Sequence, residues 1–269
     1  LVKSGDIDVM CAIRGNFFYT RTVPCEIWFM DKGKPDHLRD KVLMLDARNV
    51  FRKVTRKVFD FSPEQMKNLT SIVWLYRGQE DRFASLVQDY LATARDEAQA
   101  ADFEDLIAAF ETAQAYLTKH ADTTELTAGT THLRSDVADF ARASAALIAP
   151  SGDIATLTAT QAAMQPVADH AKTLVKEIDH LAKLAQKAHE AVVAGGEKAA
   201  DGKKLLVAIA MARMSLTGDP DVQLTVTGAL KRARYFEGQV EWLLSRFPDG
   251  KLRDVEGLVK LVGQEELAA

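Results

Sequence analysis

Residues 164–192 read MQPVADHAKTLVKEIDHLAKLAQKAHEAV. Their apolar residues recur at alternating spacings of three and four, the heptad pattern of a helix that buries one stripe of its surface. The stripe consists of Met164, Val167, Ala171, Leu174, Ile178, Leu181, Ala185, Ala188 and Val192. We predict that it packs in the core of a bundle of long antiparallel helices, with an intermolecular coiled coil as the alternative. Pro166 either begins this helix or kinks it.

Helical spacing of apolar residues also occurs on both sides of this stretch. It predicts helices around 83–91, 103–117, 133–147, 203–218 and 222–247. Connections are expected at 121–130, 149–157, 195–202 and 217–221, with a break at Gly195-Gly196. Almost all of the chain after residue 79 is therefore predicted to be helical.

The front of the chain has a different pattern. Three short apolar runs, 7–13, 26–30 and 41–46, predict strands covered on both faces, the second and third being antiparallel neighbours. Ser62-Pro63-Glu64-Gln65 predicts a helix start with a capping box, and Gly78 predicts its end. The predicted fold class is mainly α, a multi-helix bundle attached to a small β/α remnant of a sheet.

The composition argues against a membrane-spanning protein and against a disulfide-rich one. The 269 residues are 47% hydrophobic and 27% charged, and no apolar run reaches the roughly 18 residues of a membrane span. Cys11 and Cys25 are too few for a disulfide framework, which makes the cytoplasm the expected compartment. The net charge of −4 averages a basic front, +5 over residues 1–78, and an acidic rear, −9 over residues 79–269.

The usual signatures of a complete enzyme are missing from the sequence. No glycine-rich phosphate loop follows a strand, and no serine, histidine and acid arrangement stands out. The six histidines are scattered; His170 and His180 lie about 15 Å apart on one helix, too far to share a metal. We interpret the helical histidines as solvated and predict neither a metal site nor catalytic residues in this chain.

A basic segment gives the strongest binding signal. It contains Arg48, Arg52, Lys53, Arg56 and Lys57, interleaved with Phe51 and Phe59. Clustered cations of this kind neutralise phosphates, so the segment predicts binding of a polyanion. A solvated loop leading into the helix at Ser62 is the alternative.

Four ordered stretches resemble the modification (methyltransferase) subunit of type I restriction-modification systems. They are IRGNFFYTRTVPCEIWF at 13–29, the strand ending LDARN at 45–49, the helix holding Trp74 and Tyr76-Arg77, and RFPDGKLRDVEGLVK at 246–260. The resemblance implies that the strands are the last ones of a Rossmann-like methyltransferase sheet. It also implies that the parent protein transfers a methyl group from S-adenosylmethionine to the exocyclic amine of adenine in DNA.

The same resemblance implies a flipped-out target base, on which an aromatic ring stacks. The spacing of that aromatic to Val23 points to Phe18, with Phe17 and Tyr19 as substitutes; filling of the sheet's core is the alternative role. The family's glycine-rich cofactor loop and its Asn/Asp-Pro-Pro-Phe/Tyr motif are absent, so we expect no cofactor to bind this piece. Together with Leu1 in place of methionine, this predicts an internal or C-terminal piece of a longer subunit.

The expected domains are 1–61, the C-terminal strands of the methyltransferase domain; 62–250, a largely inserted helical domain; and 251–269, the start of a C-terminal tail. The expected role is subunit assembly and DNA positioning. The implied partners are DNA, the specificity subunit, a second modification subunit and, as a further candidate, the restriction subunit, with no membrane. A non-enzymatic helical interaction or oligomerisation module is the alternative function.

Overall fold

The computed structural model describes residues 4–18, 22–194, 203, 206, 226–263 and 265–266. Its strands are β1 (Ile7–Ile13), β2 (Cys25–Met30), β3 (Lys41–Asp46), β4 (Arg52–Lys53), β5 (Phe59–Asp60) and β6 (Val259–Gly263). Its helices are α1 (Pro63–Tyr76), α2 (Glu80–Gln99), α3 (Glu104–Leu117), α4 (Thr124–Ala145), α5 (Ile154–Ala194) and α6 (Val226–Arg246). The structure is 61% helical, which confirms the predicted mainly α fold with a small β part.

Four strands form a mixed sheet in the order β2-β1-β3-β6. β1 runs parallel to β3, and the other two pairs are antiparallel. The prediction that the second and third strands are neighbours is wrong, because β1 lies between them. The short strands β4 and β5 form a separate antiparallel ribbon.

β2 is the second place where the sequence prediction is wrong. We expected it to be covered on both faces, but the side chains of Ile27, Trp28, Phe29 and Met30 are all exposed. The apolar run specifies a strand but carries no information about which element would cover it. β2 is therefore an edge strand with apolar side chains on both faces.

The helix start at Ser62 is confirmed in atomic detail. The Ser62 hydroxyl accepts a hydrogen bond from the Gln65 amide at 3.2 Å, and the Gln65 side-chain oxygen accepts one from the Ser62 amide at 2.9 Å. Pro63 occupies the first helical position, where its missing N–H costs nothing. Gly78 follows the end of α1 with φ +70°, as expected of a helix stop.

Buried polar contacts fix one end of the sheet. Arg77 donates to the buried Asp8 carboxylate at 2.6 Å, joining the end of α1 to β1. The buried ammonium of Lys34 donates to the carbonyl oxygens of Ile7 and Lys41, at the starts of β1 and β3, and burial lowers its pKa. The loops that could form a site therefore follow the opposite, carboxyl ends of these two parallel strands.

The helical part begins earlier at two points than the sequence predicts. α4 starts at Thr124 rather than near residue 133, and Gly129 lies inside it. A Cβ atom on Gly129 would lie 2.4 Å from Cδ2 of Leu181 in α5, so this glycine permits the close approach of the two helices. α5 starts at Ile154, which places Pro166 inside the helix rather than at its start.

The apolar stripe of α5 is confirmed as a core element. All of its nine residues except Ala188 are buried, and α5 packs against both α3 and α4. The stripe is therefore covered within its own chain, and the intermolecular coiled coil is not its role. The predicted break at 195–196, connections at 195–202 and 217–221, and nearly all of the helix at 203–218 lie outside the described residues.

The chain divides into two compact units, residues 1–87 with 242–269 and residues 88–241. The expected domain boundaries at 61/62 and 250/251 differ from these cuts and remain a prediction. Among the helices that the structure describes, none is both long and apolar enough to cross a membrane.

Candidate nucleic-acid interface

The loop that follows β1 is shaped by two unusual backbone positions. A Cβ atom on Gly15 would lie 2.2 Å from the carbonyl oxygen of Thr22, so only glycine fits there. Asn16 has φ 64°, in the left-handed region that asparagine adopts more readily than most residues. The chain thus turns sharply immediately before the aromatic residues Phe17 and Phe18.

The three base-stacking candidates have different surroundings. Phe17 packs on Phe61, with ring centres 4.4 Å apart and the planes tilted by 53°. The side chain of Phe18 is 47% exposed, so its ring is accessible from solvent. Tyr19 lies outside the described residues. Of the two described rings, Phe18 has the exposure that a stacking partner needs, and Phe17 has the contact of a packed side chain.

The basic segment folds as the ribbon of β4 and β5, in which Arg52 pairs with Asp60 and Lys53 with Phe59. The amides of Val54 and Thr55 both donate to the carbonyl oxygen of Val58, at 3.0 and 3.1 Å, and close the turn. We call residues 48–60 the basic ribbon. Its turn carries Arg56 and Lys57, both of which are exposed.

Backbone contacts join the basic ribbon to the loop after β1. The Phe59 amide donates to the carbonyl oxygen of Asn16 at 3.1 Å. On the other side of the ribbon, the Gln65 side-chain amide donates to the carbonyl oxygen of Phe51 at 3.0 Å. The structure thereby brings the predicted phosphate-binding segment next to the predicted base-stacking loop, although they are about 30 residues apart in sequence.

Arg14, which no sequence pattern marked as a site residue, completes this arrangement. Its guanidinium carbon lies 3.9 Å from the centre of the Phe51 ring and 3.8 Å from that of Phe59. These two rings meet edge to face, with centres 5.2 Å apart. The cation therefore occupies a corner formed by the ribbon's own aromatic residues. The only signal for it in the sequence is the pair of phenylalanines among the cations, which does not specify a partner.

The five phosphate candidates fall into two groups. Arg48 binds Asp46 through two hydrogen bonds of 2.8 and 2.6 Å, and Arg52 binds Asp60 through two of the same lengths. These guanidinium groups hold the pKa of each carboxyl below its usual value. In the described part of the chain, Lys53, Arg56 and Lys57 form no ion pair. The second group is thus exposed and uncompensated.

A cleft of about 830 Å³ opens beside Arg48. Residues from the carboxyl ends of β1 and β3 line it, including Ala12 and Asp46, and residues 254–260 line its other side. This segment belongs to the stretch at 246–260 on which the family resemblance partly rests. The first and the last of the four stretches that carry the resemblance therefore both line this cleft.

Gly15 provides no open space for S-adenosylmethionine at the end of β1. Gly15 is the glycine nearest the end of β1, but the space beside its Cα is filled by the carbonyl oxygen of Thr22 rather than left for a ligand.

Comparison with known proteins agrees with this geometry. Residues 1–111 match the family described as N-6 DNA methylase. The match includes the whole of β1 to β5 and α1, and so both the loop of Phe18 and the basic ribbon.

The type I restriction enzyme MjaIX methylase subunit of Methanocaldococcus jannaschii is 30% identical over 64 residues. The similar stretch covers 24% of this chain and 12% of that protein. Together the two matches confirm the resemblance to the modification subunit of type I systems. No solved structure shows significant similarity to the chain.

Proposed function

We propose that this chain is part of an adenine-specific DNA methyltransferase subunit of a type I restriction-modification system, and that its own task is to position DNA and assemble subunits. The parent would transfer the methyl group from S-adenosylmethionine to the exocyclic amine of adenine. The Asn/Asp-Pro-Pro motif that such chemistry needs is not in the sequence given, so no catalytic residue is assigned here.

The observation that carries the proposal is the hydrogen bond between the Phe59 amide and the Asn16 carbonyl oxygen. It holds three uncompensated cations beside a loop with an exposed aromatic ring. Cations that neutralise phosphates and a ring on which a base stacks are the two components of binding to an extruded nucleotide. In this proposal Lys53, Arg56 and Lys57 contact phosphates, and Phe18 stacks on the base.

Salt dependence of DNA binding tests the proposal directly. The affinity of the 269-residue chain for a short duplex is measured by fluorescence anisotropy over a range of salt concentrations. Each lost phosphate contact lowers the slope of log K against log salt by about 1. The triple variant Lys53→Gln, Arg56→Gln, Lys57→Gln is therefore expected to lower it by about 2 to 3.

A triple variant of exposed lysines on α5, Lys176→Gln, Lys183→Gln and Lys187→Gln, is the matched control, because it removes the same charge from the helical unit. It is expected to leave the slope nearly unchanged. Equal effects of the two triple variants, or a flat salt response of the unaltered chain, would rule out the basic ribbon as a DNA contact.

For the helical unit, residues 88–241, we propose a role in assembly with the specificity subunit or a second modification subunit. Its acidic charge and buried α5 stripe are consistent with a preformed protein-binding domain. Light scattering of the chain alone and with a specificity subunit tests this. A stable homodimer that ignores the specificity subunit would favour an oligomerisation module instead. The proposed compartment is the cytoplasm, where such a complex meets DNA.

A further inference from the structure

Three side chains with metal-binding atoms converge on the surface of the helical unit. His132 and Asp136 are four residues apart on α4 and therefore lie on one face of that helix. Glu177 reaches them from α5, which packs against α4. One ligand atom from each of the three lies within 4.8 Å of the other two. All three residues belong to the same compact unit, 88–241.

One of the two ligand-atom distances from His132 fits a tetrahedral metal site, and the other is a few tenths of an ångström shorter. Nδ1 of His132 lies 2.9 Å from Oε1 of Glu177 and 3.5 Å from Oδ2 of Asp136. Zinc binds histidine nitrogen and carboxylate oxygen at about 2.0–2.2 Å, which separates two tetrahedral ligands by about 3.3–3.5 Å. Adjustments of a few tenths of an ångström would place a cation at bonding distance from the first two atoms.

A simple hydrogen-bonded arrangement leaves part of this cluster unexplained. A protonated His132 would pair with Glu177 at 2.9 Å and with Asp136 at 3.5 Å, the second being an ion pair longer than an ordinary hydrogen bond. In addition, Oε2 of Glu177 is buried and has no hydrogen-bond partner among the described residues. The side chains of Glu177 and Asp136 are only 16% and 24% exposed. A cation shared by the three residues would compensate both carboxylates.

We propose that His132, Asp136 and Glu177 bind a divalent transition-metal ion, with Zn²⁺ as the best match to this ligand set. One imidazole and two carboxylates give three protein ligands, and water completes the tetrahedron. The imidazole disfavours Mg²⁺ and Ca²⁺, which prefer sites made only of oxygen atoms. The ion would join α4 to α5 at the surface, above the core contact of Gly129 with Leu181.

This proposal replaces the sequence interpretation of His132 as a solvated helix-face histidine. The i, i+4 spacing of His132 and Asp136 is visible in the sequence. Glu177 is 45 residues away from His132 and becomes a neighbour only through the packing of α4 on α5. The site is independent of the proposed DNA interface, which lies in the other compact unit.

The test is calorimetric titration of ZnCl₂ into the full 269-residue chain after treatment with a chelator. We expect one Zn²⁺ per chain and a higher Tm in its presence, with no response to MgCl₂. Glu177→Gln keeps the shape of the side chain but removes its charge. This variant and His132→Ala are each expected to weaken Zn²⁺ binding by at least about tenfold, the minimum seen when even outer partners of metal sites are lost.

Two matched variants make the result specific. His180→Ala removes an exposed histidine of α5, and Glu190→Gln an exposed glutamate of the same helix, and neither is expected to change the affinity. The Tm of every variant without metal shows that it is folded. Absence of Zn²⁺ binding to the unaltered chain overturns the proposal. So does binding that Glu177→Gln and His132→Ala leave unchanged.

Discussion

The guanidinium carbon of Arg14 lies 3.8 Å from the centre of the Phe59 ring, across the junction between the loop after β1 and the basic ribbon. The Phe51 ring lies at 3.9 Å and meets Phe59 edge to face, so this cation contacts both rings of one corner. Arg14→Met keeps most of the length of the side chain but removes its charge. We expect it to lower the free energy of unfolding by about 1–2 kcal/mol. Chemical denaturation measures this loss.

Arg82→Met is the matched control for Arg14→Met. The Arg82 guanidinium lies 4.3 Å from the centre of the single Trp74 ring, so its loss should cost less. If both variants unfold at the same denaturant concentration, the two-ring contact does not stabilise the junction.

We expect Phe17 to contribute to the stability of the fold and Phe18 to the binding of DNA. Because Phe17 contacts Phe61, Phe17→Ala is expected to reduce the free energy of unfolding by about 1–3 kcal/mol. Phe18→Ala should leave stability nearly unchanged but weaken binding to DNA with an unpaired adenine by about 1–3 kcal/mol, the value of one base–aromatic stack. Anisotropy with paired and unpaired probes measures this.

Tyr235→Ala provides the control for Phe18→Ala, since Tyr235 is a comparably exposed aromatic residue of the helical unit. Tyr235→Ala should leave the affinity for both the paired and the unpaired DNA probe unchanged. In the full-length subunit, Phe18→Ala should also slow methylation. An unchanged rate there, with unchanged binding to the unpaired adenine, would show that Phe18 does not stack on the target base.

Because Arg52 pairs with Asp60, we expect that removing the Asp60 carboxylate strengthens DNA binding. This effect is opposite to that of the triple variant of the basic ribbon. Asp60→Asn removes the carboxylate that occupies the Arg52 guanidinium. Because the variant removes one negative charge from the basic ribbon, the DNA affinity should rise a few-fold at low salt and the salt slope should steepen by up to about 1. A salt titration of this variant beside the unaltered chain measures both. A weaker complex would mean that the pair holds the ribbon in its binding shape.

Glu237 predicts a pH-dependent change of stability. Its carboxyl is buried on α6 and accepts a hydrogen bond from Gln161 at 2.8 Å; burial is the main cause that raises its pKa. A folded-state pKa above the unfolded one means that stability is lost as pH rises through it. Glu237→Gln should therefore raise the free energy of unfolding at pH 7.

The gain from Glu237→Gln should largely disappear at about pH 4, where the carboxyl is mostly protonated in both the folded and the unfolded chain. Thermal unfolding at the two pH values measures the difference. Glu190→Gln, on the exposed side of α5, should change stability at neither pH. A gain that persists at acid pH would point to packing instead of ionisation.

Local signals in the sequence predicted local structure well. Ser62 and Gln65 specify a helix start because their side chains satisfy each other's backbone groups within one turn. The regular spacing of the α5 stripe predicted both the helix and its buried face. The start of α4 was not predicted because a glycine such as Gly129 is typical of a helix break. Gly129 leaves room for the Leu181 side chain, and this contact exists only after α4 and α5 have packed.

The candidate interface was predictable only as separate pieces. The five cations were visible, but the pairing of Arg52 with Asp60 depends on the register of β4 and β5. The position of Arg14 depends on Phe51 and Phe59 lying beside the loop after β1. Contacts between residues far apart in sequence leave no periodic trace, which is why these two features could not be predicted.

The exposed edge strand β2 has a consequence for how the chain behaves at high concentration. Among its six residues only Glu26 is charged, and the apolar Ile27, Trp28, Phe29 and Met30 are accessible to solvent. An apolar strand with an unpaired edge is a template for the addition of further strands and hence for aggregation. We therefore expect aggregation of the free chain to begin at this strand, and Phe29→Lys should raise its solubility.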